Sequence, residues 1–143
     1  MEKLTLEQLA PYLPYKVITI IHHNTKPNYT DYETKGILIG YSWMGEWMHR
    51  NESTQNIETC RWGWIKPILH PLSDLTKEIE VNGEKFVPFK ILHDSTGNSW
   101  EKPFIDSVEN KYCTAKQWLK CIEWHFDVFG LIEKGLAIDI NTL

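Results

Sequence analysis

The chain has 143 residues, 42% hydrophobic and 24% charged, with a formal net charge of -4 and seven tryptophans. That length suits one domain around one core, and the aromatic content is at odds with a disordered chain. The acidic balance argues against a protein whose main task is to neutralise phosphates, which clusters a basic excess on one face.

Met1 to Ala10 carries Glu2 and Glu7 and no long apolar run, so neither a secretory signal nor a membrane anchor is expected, and the expected location is the cytoplasm. Cys60, Cys113 and Cys121 are widely spaced and form no C-x-x-C pair, a pattern that fits reduced thiols buried as small core residues. Thr5-Leu6-Glu7-Gln8 is a capping box with Leu4 and Leu9 at staple positions, which opens a helix that Pro11 and Pro14 keep short. Val17 to Ile21 is a β-branched run that reads as a strand covered on both faces.

Asn24 to Lys35 is polar and carries Pro27, the pattern of a surface loop. Gly36 to Ser42 reads as a second strand, turned back at Met44-Gly45 through Glu46 to Arg50, and Arg50 to Glu58 as a second polar loop. Trp62 and Trp64 lie on one face of an extended stretch ending near Pro67 and Pro71, and Ser73 to Glu78 suggests one helical turn. Asn82-Gly83 predicts a type I′ hairpin, because both central positions need positive φ. That register pairs Ile79 with Phe86 and Glu80 with Lys85.

His93 to Asn98 reads as a third loop, and the capping box Thr114-Ala115-Lys116-Gln117 opens a long last helix. At 100° per residue, Lys116, Lys120, Glu123, Asp127 and Lys134 share one polar stripe, and the rest of the circumference is largely apolar. Gly130 is placed to kink or end this helix, Gly135 to cap it, and Leu136, Ile138 and Ile140 to form a final strand. The expected fold is α+β: a small antiparallel sheet, or partly closed barrel, packed on a long C-terminal helix, with a short N-terminal helix. Residues 1–143 form one globular domain in this reading, and the wide apolar arc of the last helix leaves open a homodimer seam.

Glu123-Trp124-His125-Phe126-Asp127 has the residue types of a ligand set. Within one helix, however, His125 points nearly opposite to the two carboxylates, so a histidine hydrogen-bonded to backbone is expected. His22 and His23 fall on opposite faces of a strand. His49, His70 and His93 lack ligand spacing, and His93-Asp94-Ser95 reads as turn chemistry rather than a triad. No catalytic residue, metal site or cofactor is therefore expected. Trp43, Trp47, Trp62 and Trp64 are the candidate binding residues: beside polar loops they suit an anchor for a protein or a stacking base, and equally the core of a small sheet.

Three stretches taken together, Leu4 to Tyr15, Lys66 to Pro88 and Glu123 to Ile132, resemble a group of small uncharacterised proteins encoded by phages and prophages of Bacteroidetes-type bacteria. The resemblance brings no assigned site residues. It implies a phage context, in which the more individual segments, Asn24 to Trp64 and His93 to Lys111, are where a partner-specific surface is expected. The leading expectation is a non-catalytic module that binds a host or phage protein, such as an inhibitor of a host defence system. A nucleic-acid or nucleotide binder stacking on the same tryptophans is the second reading, and a small hydrolase the third.

Overall fold

A computed structural model describes residues 4–25, 30–42, 44–60, 64–81, 83–96 and 115–143. Thr5 opens helix α1 (Leu6–Leu9), its backbone N–H donating to Gln8 Oε1 at 3.0 Å, and Leu4 and Leu9 are both buried beneath the turn. Pro11 and Pro14 then hold the chain in a 3-10 helix, Ala10–Tyr15, rather than a longer α-helix. Strands β1 (Ile18–Thr25) and β2 (Thr30–Tyr41) follow as an antiparallel pair, in register from Ile18 opposite Ile37 to Thr25 opposite Thr30.

Thr30 to Lys35 thus belongs to a strand, not to the loop that its polarity suggests. Cross-strand pairing substitutes for apolar alternation here: the His23 and Tyr32 rings stack at 4.7 Å, and His22 Nδ1 lies 3.8 Å from Glu33 Oε1. Likewise β3 (Trp47–Asn51) and β4 (Ile57–Cys60) take up both ends of the expected second loop, leaving a tight turn in which Gln55 N–H donates to the Asn51 carbonyl. Gly45, at φ +84°, supplies the turn between β2 and β3.

Strand β5 (Ile65–Leu69) pairs with β1 on its other side. A 3-10 turn (Leu72–Thr76) leads to the expected hairpin, β6 (Ile79–Val81) and β7 (Glu84–Phe86), with Ile79 opposite Phe86 and Glu80 opposite Lys85. Helix α2 (Pro88–Thr96) takes proline at its first position, and buries Phe89 and Leu92 one turn apart. His93-Asp94-Ser95 is therefore helical backbone, which corrects the loop reading.

The long C-terminal helix is also corrected. Helix α3 (Ala115–Glu123) has nine residues and closes in a Schellman motif. Phe126 N–H donates to the Cys121 carbonyl and His125 N–H to that of Ile122, with His125 at φ +62° in the place glycine usually fills. Beyond it the chain lies beside β5, where His70 and Phe126 form an isolated parallel bridge, and ends in β8 (Ile138–Asp139), parallel to β5. The main sheet is accordingly mixed, in the order β4-β3-β2-β1-β5-β8, with β4 and β8 as edges rather than a closed barrel. Leu9, Tyr12, Ile21, Leu38, Leu69, Leu75, Phe126 and Leu131 are among the residues of one hydrophobic core on its inner side.

Candidate functional site

Side chains alternate across a strand, so pairing assigns each residue of β1 to β5 to a face. Thr19, Ile21, Leu38, His49 and Ile65 point inward and are buried. The opposite face carries one cross-strand row of Ile18, Ile37, Arg50 and Ile57, and a second of Lys66, Ile20 and Lys35. Ile37 is 40% exposed, Ile39 37% and Ile57 55%, and Ile18, Ile20 and Met48 are half-buried. The second face of β1 is thus covered only in part, Ile18 and Ile20 being half-buried where the β-branched run suggests full cover. A register shift between Leu38 and Gly40 adds Ile39 to this face before the strand turns Tyr41 back toward Trp47, their rings 4.6 Å apart.

The four candidate tryptophans divide. Trp47 is 5% exposed and packs in the core, whereas Trp64 is 45% exposed on the outer side, stacked on His22 at 5.3 Å and nearly parallel to it. Trp43 and Trp62 lie outside the described residues. The sequence signal that marks the outer face is the alternation Lys35-Gly36-Ile37-Leu38, in which every second residue is glycine or a buried leucine.

Beneath that face lies a polar cluster that spacing along the chain does not reveal. His49 is fully buried, with Nε2 2.8 Å from Glu58 Oε1 and Nδ1 2.9 Å from Thr19 Oγ1. A carboxylate only accepts, so Nε2 donates to Glu58, while Nδ1 shares a hydrogen bond with the Thr19 hydroxyl. His23 Nε2 joins at 2.8 Å from Thr34 Oγ1 and 3.9 Å from Glu58 Oε2, and Asn51 donates to Glu58 at 3.3 Å. Burial pushes the Glu58 carboxyl up, but hydrogen bonds from His49, Thr34 and Asn51 with the nearby His23 outweigh it and hold the group below its ordinary value. Every polar atom with a named partner here is satisfied inside the sheet, and no group of three or more ligating residues able to hold a metal occurs among the described residues. The cluster locks four strands together.

A third arrangement sits at the far end of β5. His70 Nδ1 lies 3.4 Å from Asp74 Oδ2, which also accepts from Asn141 at 2.8 Å, and Lys77 Nζ lies 3.5 Å from Asp74 Oδ1. These residues line an open cleft of about 550 Å³. A histidine oriented by a carboxylate is half of a hydrolytic constellation, yet serine, threonine and cysteine are absent from the described lining of this cleft.

The tempting set at the end of α3 is dispersed by the Schellman turn. Glu123 pairs with Lys120 at 2.9 Å on the surface. His125 Nε2–H donates to the Tyr15 carbonyl at 2.6 Å, as a backbone-bonded histidine should, and burial drives its pKa down against that bond. Asp127 leaves the expected polar stripe for the interior, where its carboxylate accepts from Leu131 N–H at 2.7 Å and Ile132 N–H at 2.9 Å. Burial raises its pKa against those bonds. Cys60 and Cys121 are buried and in no disulfide, the Cys60 thiol being pushed by burial up to about 11 and so unreactive near neutrality. Cys113 lies outside the described residues. No helix of the described residues is long and apolar enough to cross a membrane.

Comparison with protein-family models, with curated proteins and with solved structures gives no match.

Proposed function

We propose that the chain is a non-catalytic, phage-type module that binds a host protein and acts by occupying its surface, with components of host defence as the target class. One observation carries this reading: the outer face of the main sheet presents Ile37 and Ile39 of β2 and Ile57 of β4 to solvent, on either side of β3 with its Arg50, and beside the half-buried Ile18, Ile20 and Met48. Large aliphatic side chains gathered on one exposed sheet face mark an interaction surface, and Trp64 on the same side adds an aromatic anchor of the kind that dominates binding energies. The phage context rests on the resemblance of the three segments noted above.

Quantitative capture from a Bacteroidetes-type host lysate tests it, comparing the parent chain with an Ile37→Ser/Ile57→Ser variant and with Trp64→Ala. The expected result is a specific protein retained by the parent and lost from both variants, each variant keeping a cooperative thermal transition. Capture that ignores all three substitutions overturns the assignment. The nucleic-acid reading loses its support at Trp47, whose ring is in the core. The hydrolase reading draws, among the described residues, on the His70–Asp74 pair that lines the cleft at the end of β5.

A further inference from the structure

The cleft at the far end of β5 holds a carboxylate that the fold leaves under-satisfied. Pro71 opens the 3-10 turn Leu72–Thr76, and at three residues per turn Asp74 and Lys77 come to one side of it while Leu75 enters the core. Asp74 is only 3% exposed. Its Oδ2 accepts from the Asn141 amide at 2.8 Å, with His70 Nδ1 farther off at 3.4 Å, and Oδ1 is buried with no hydrogen-bond partner among the described residues. Burying a carboxylate oxygen without a donor is costly, so this atom calls for a donor from outside the fold. The one cation within reach among the described residues, Lys77, stands 3.5 Å from Oδ1 without forming a hydrogen bond, and its side chain is 66% exposed. An ion pair so loosely held is readily displaced.

We infer that this cleft binds a terminal ammonium or guanidinium group on an aliphatic stem, which displaces Lys77 and donates to Asp74 Oδ1. The rest of the lining suits that group. Glu78 and Glu80 line the cleft with Asp74, so three carboxylates stand against one lysine. Lys85, opposite Glu80 in the hairpin, belongs instead to the lining of the groove against α3. Asp139, just before this segment, is engaged in accepting from Asn141 N–H at 2.8 Å, which holds Asn141 in place over Asp74. Ile79 and Ile140 supply apolar wall along which methylene groups can pack. A metal ion is a poorer occupant, since no three His, Cys, Asp or Glu side chains among the described residues are arranged to hold one. An anion would meet three carboxylates. Donation from a cation to a carboxylate is roughly twice as strong as a bond between neutral groups, which lets one buried oxygen select the ligand. The inference is independent of the docking reading of the outer sheet face.

NMR titration of the full chain at low ionic strength tests this, with agmatine and the peptide acetyl-Gly-Arg-Gly-amide as cationic probes and with glutarate, magnesium and calcium as controls. The expected result is a saturable shift of the Asn141 side-chain amide and of the Ile79 and Ile140 methyl groups with a cationic probe. Binding of agmatine alone makes the source a small free amine, and tighter binding of the peptide makes it a basic residue of a larger ligand. Lys77→Met removes the internal competitor and should tighten binding about threefold. Glu78→Gln/Glu80→Gln should weaken it about fivefold, and less at high salt. Asp74→Asn should abolish it. The first two variants change exposed side chains, so they decide the matter even where Asp74→Asn does not fold. No shift with either cationic probe, shifts with glutarate or the metal ions alone, or an affinity that Lys77→Met fails to raise or the glutamine pair fails to lower would each overturn the inference.

Discussion

Strands β1 to β4 carry two faces built from the same alternation, and the two treat polar and apolar groups in opposite ways. Inward, at the end nearest Asn51, the sheet buries Thr19, His49 and Asn51 and satisfies them with Glu58, Thr34 and His23. Outward, it leaves isoleucines in water. A buried polar network is costly if any member is left alone and rigid if all are paired, and an exposed apolar row is costly to solubility unless something covers it. The inner face therefore defines the structure on which the outer face is displayed. Substitutions should be felt as stability on one side and as binding on the other.

His49→Ala should break that division most severely. It removes a fully buried ring, leaves the Thr19 hydroxyl and the Glu58 carboxylate without their shared partner, and opens a cavity. A loss of about 3 kcal/mol is expected in denaturant titration. A loss below about 1 kcal/mol would mean that the network is not holding the strands together.

Gly36→Ala should come next. The pairing of β2 with β3 is so close at Gly36 that a Cβ would run into the Arg50 carbonyl and press on the His49 ring. Because backbone cannot step aside cheaply, a destabilisation of about 2 kcal/mol is expected, with a shift of the His49 ring resonances by NMR.

His125 sharpens the comparison from a third direction, since its strain is in the backbone. At φ +62°, alanine suffers where glycine does not, so His125→Ala should cost about 1 kcal/mol more than His125→Gly although both lose the bond to Tyr15. Its folded pKa lies below the unfolded value near 6.5. The unfolded chain therefore binds the proton first, and stability falls as pH drops through that value toward the folded pKa. Thermal scans of the parent should show this acid-side loss, and scans of His125→Gly should show less of it. Glu58 acts in a lower window: with its folded pKa depressed, its contribution is present above the ordinary glutamate range and fades as pH falls through the folded value.

The smallest stability effect should belong to the outer face. Ile57→Thr, on an edge strand at a position more than half exposed, should change unfolding free energy by less than about 0.5 kcal/mol, while lowering affinity for the captured protein. A stability cost like that of His49→Ala would instead place Ile57 in a covered interior.

What was legible in the sequence followed local chemistry. The Thr5–Gln8 capping box, the Asn82-Gly83 register and the turn at Gly45 each need only a few neighbouring residues, and each is where it was expected. The polar stretches failed because strand pairing is not local: Thr30 to Lys35 is a strand because β1 offers it partners from Ile20 to Thr25. The end of α3 failed for a related reason. Histidine in a left-handed C′ position carries no stop signal, and the bond that favours it comes from Tyr15, far away in sequence. The outer face was hidden by Ile18 and Ile20, which in a continuous β-branched run look the same whether the second face is covered or open. The polar cluster was invisible because it takes one or two residues from each of four strands.

The bonds from Tyr12 to the Phe126 carbonyl and from His125 to the Tyr15 carbonyl join positions 114 and 110 residues apart. With β8 pairing onto β5, they mean that the core beneath the first turn is closed by the segment from His125 to Asp139. Loops this long are expensive to close before contacts repay them, so folding should be slow for the chain's size. During synthesis the β1–β4 sheet can assemble while Leu9 and Tyr12 still wait for Phe126. The segment from Phe126 to Asp139, made after those strands, is the one that commits the core to its final form.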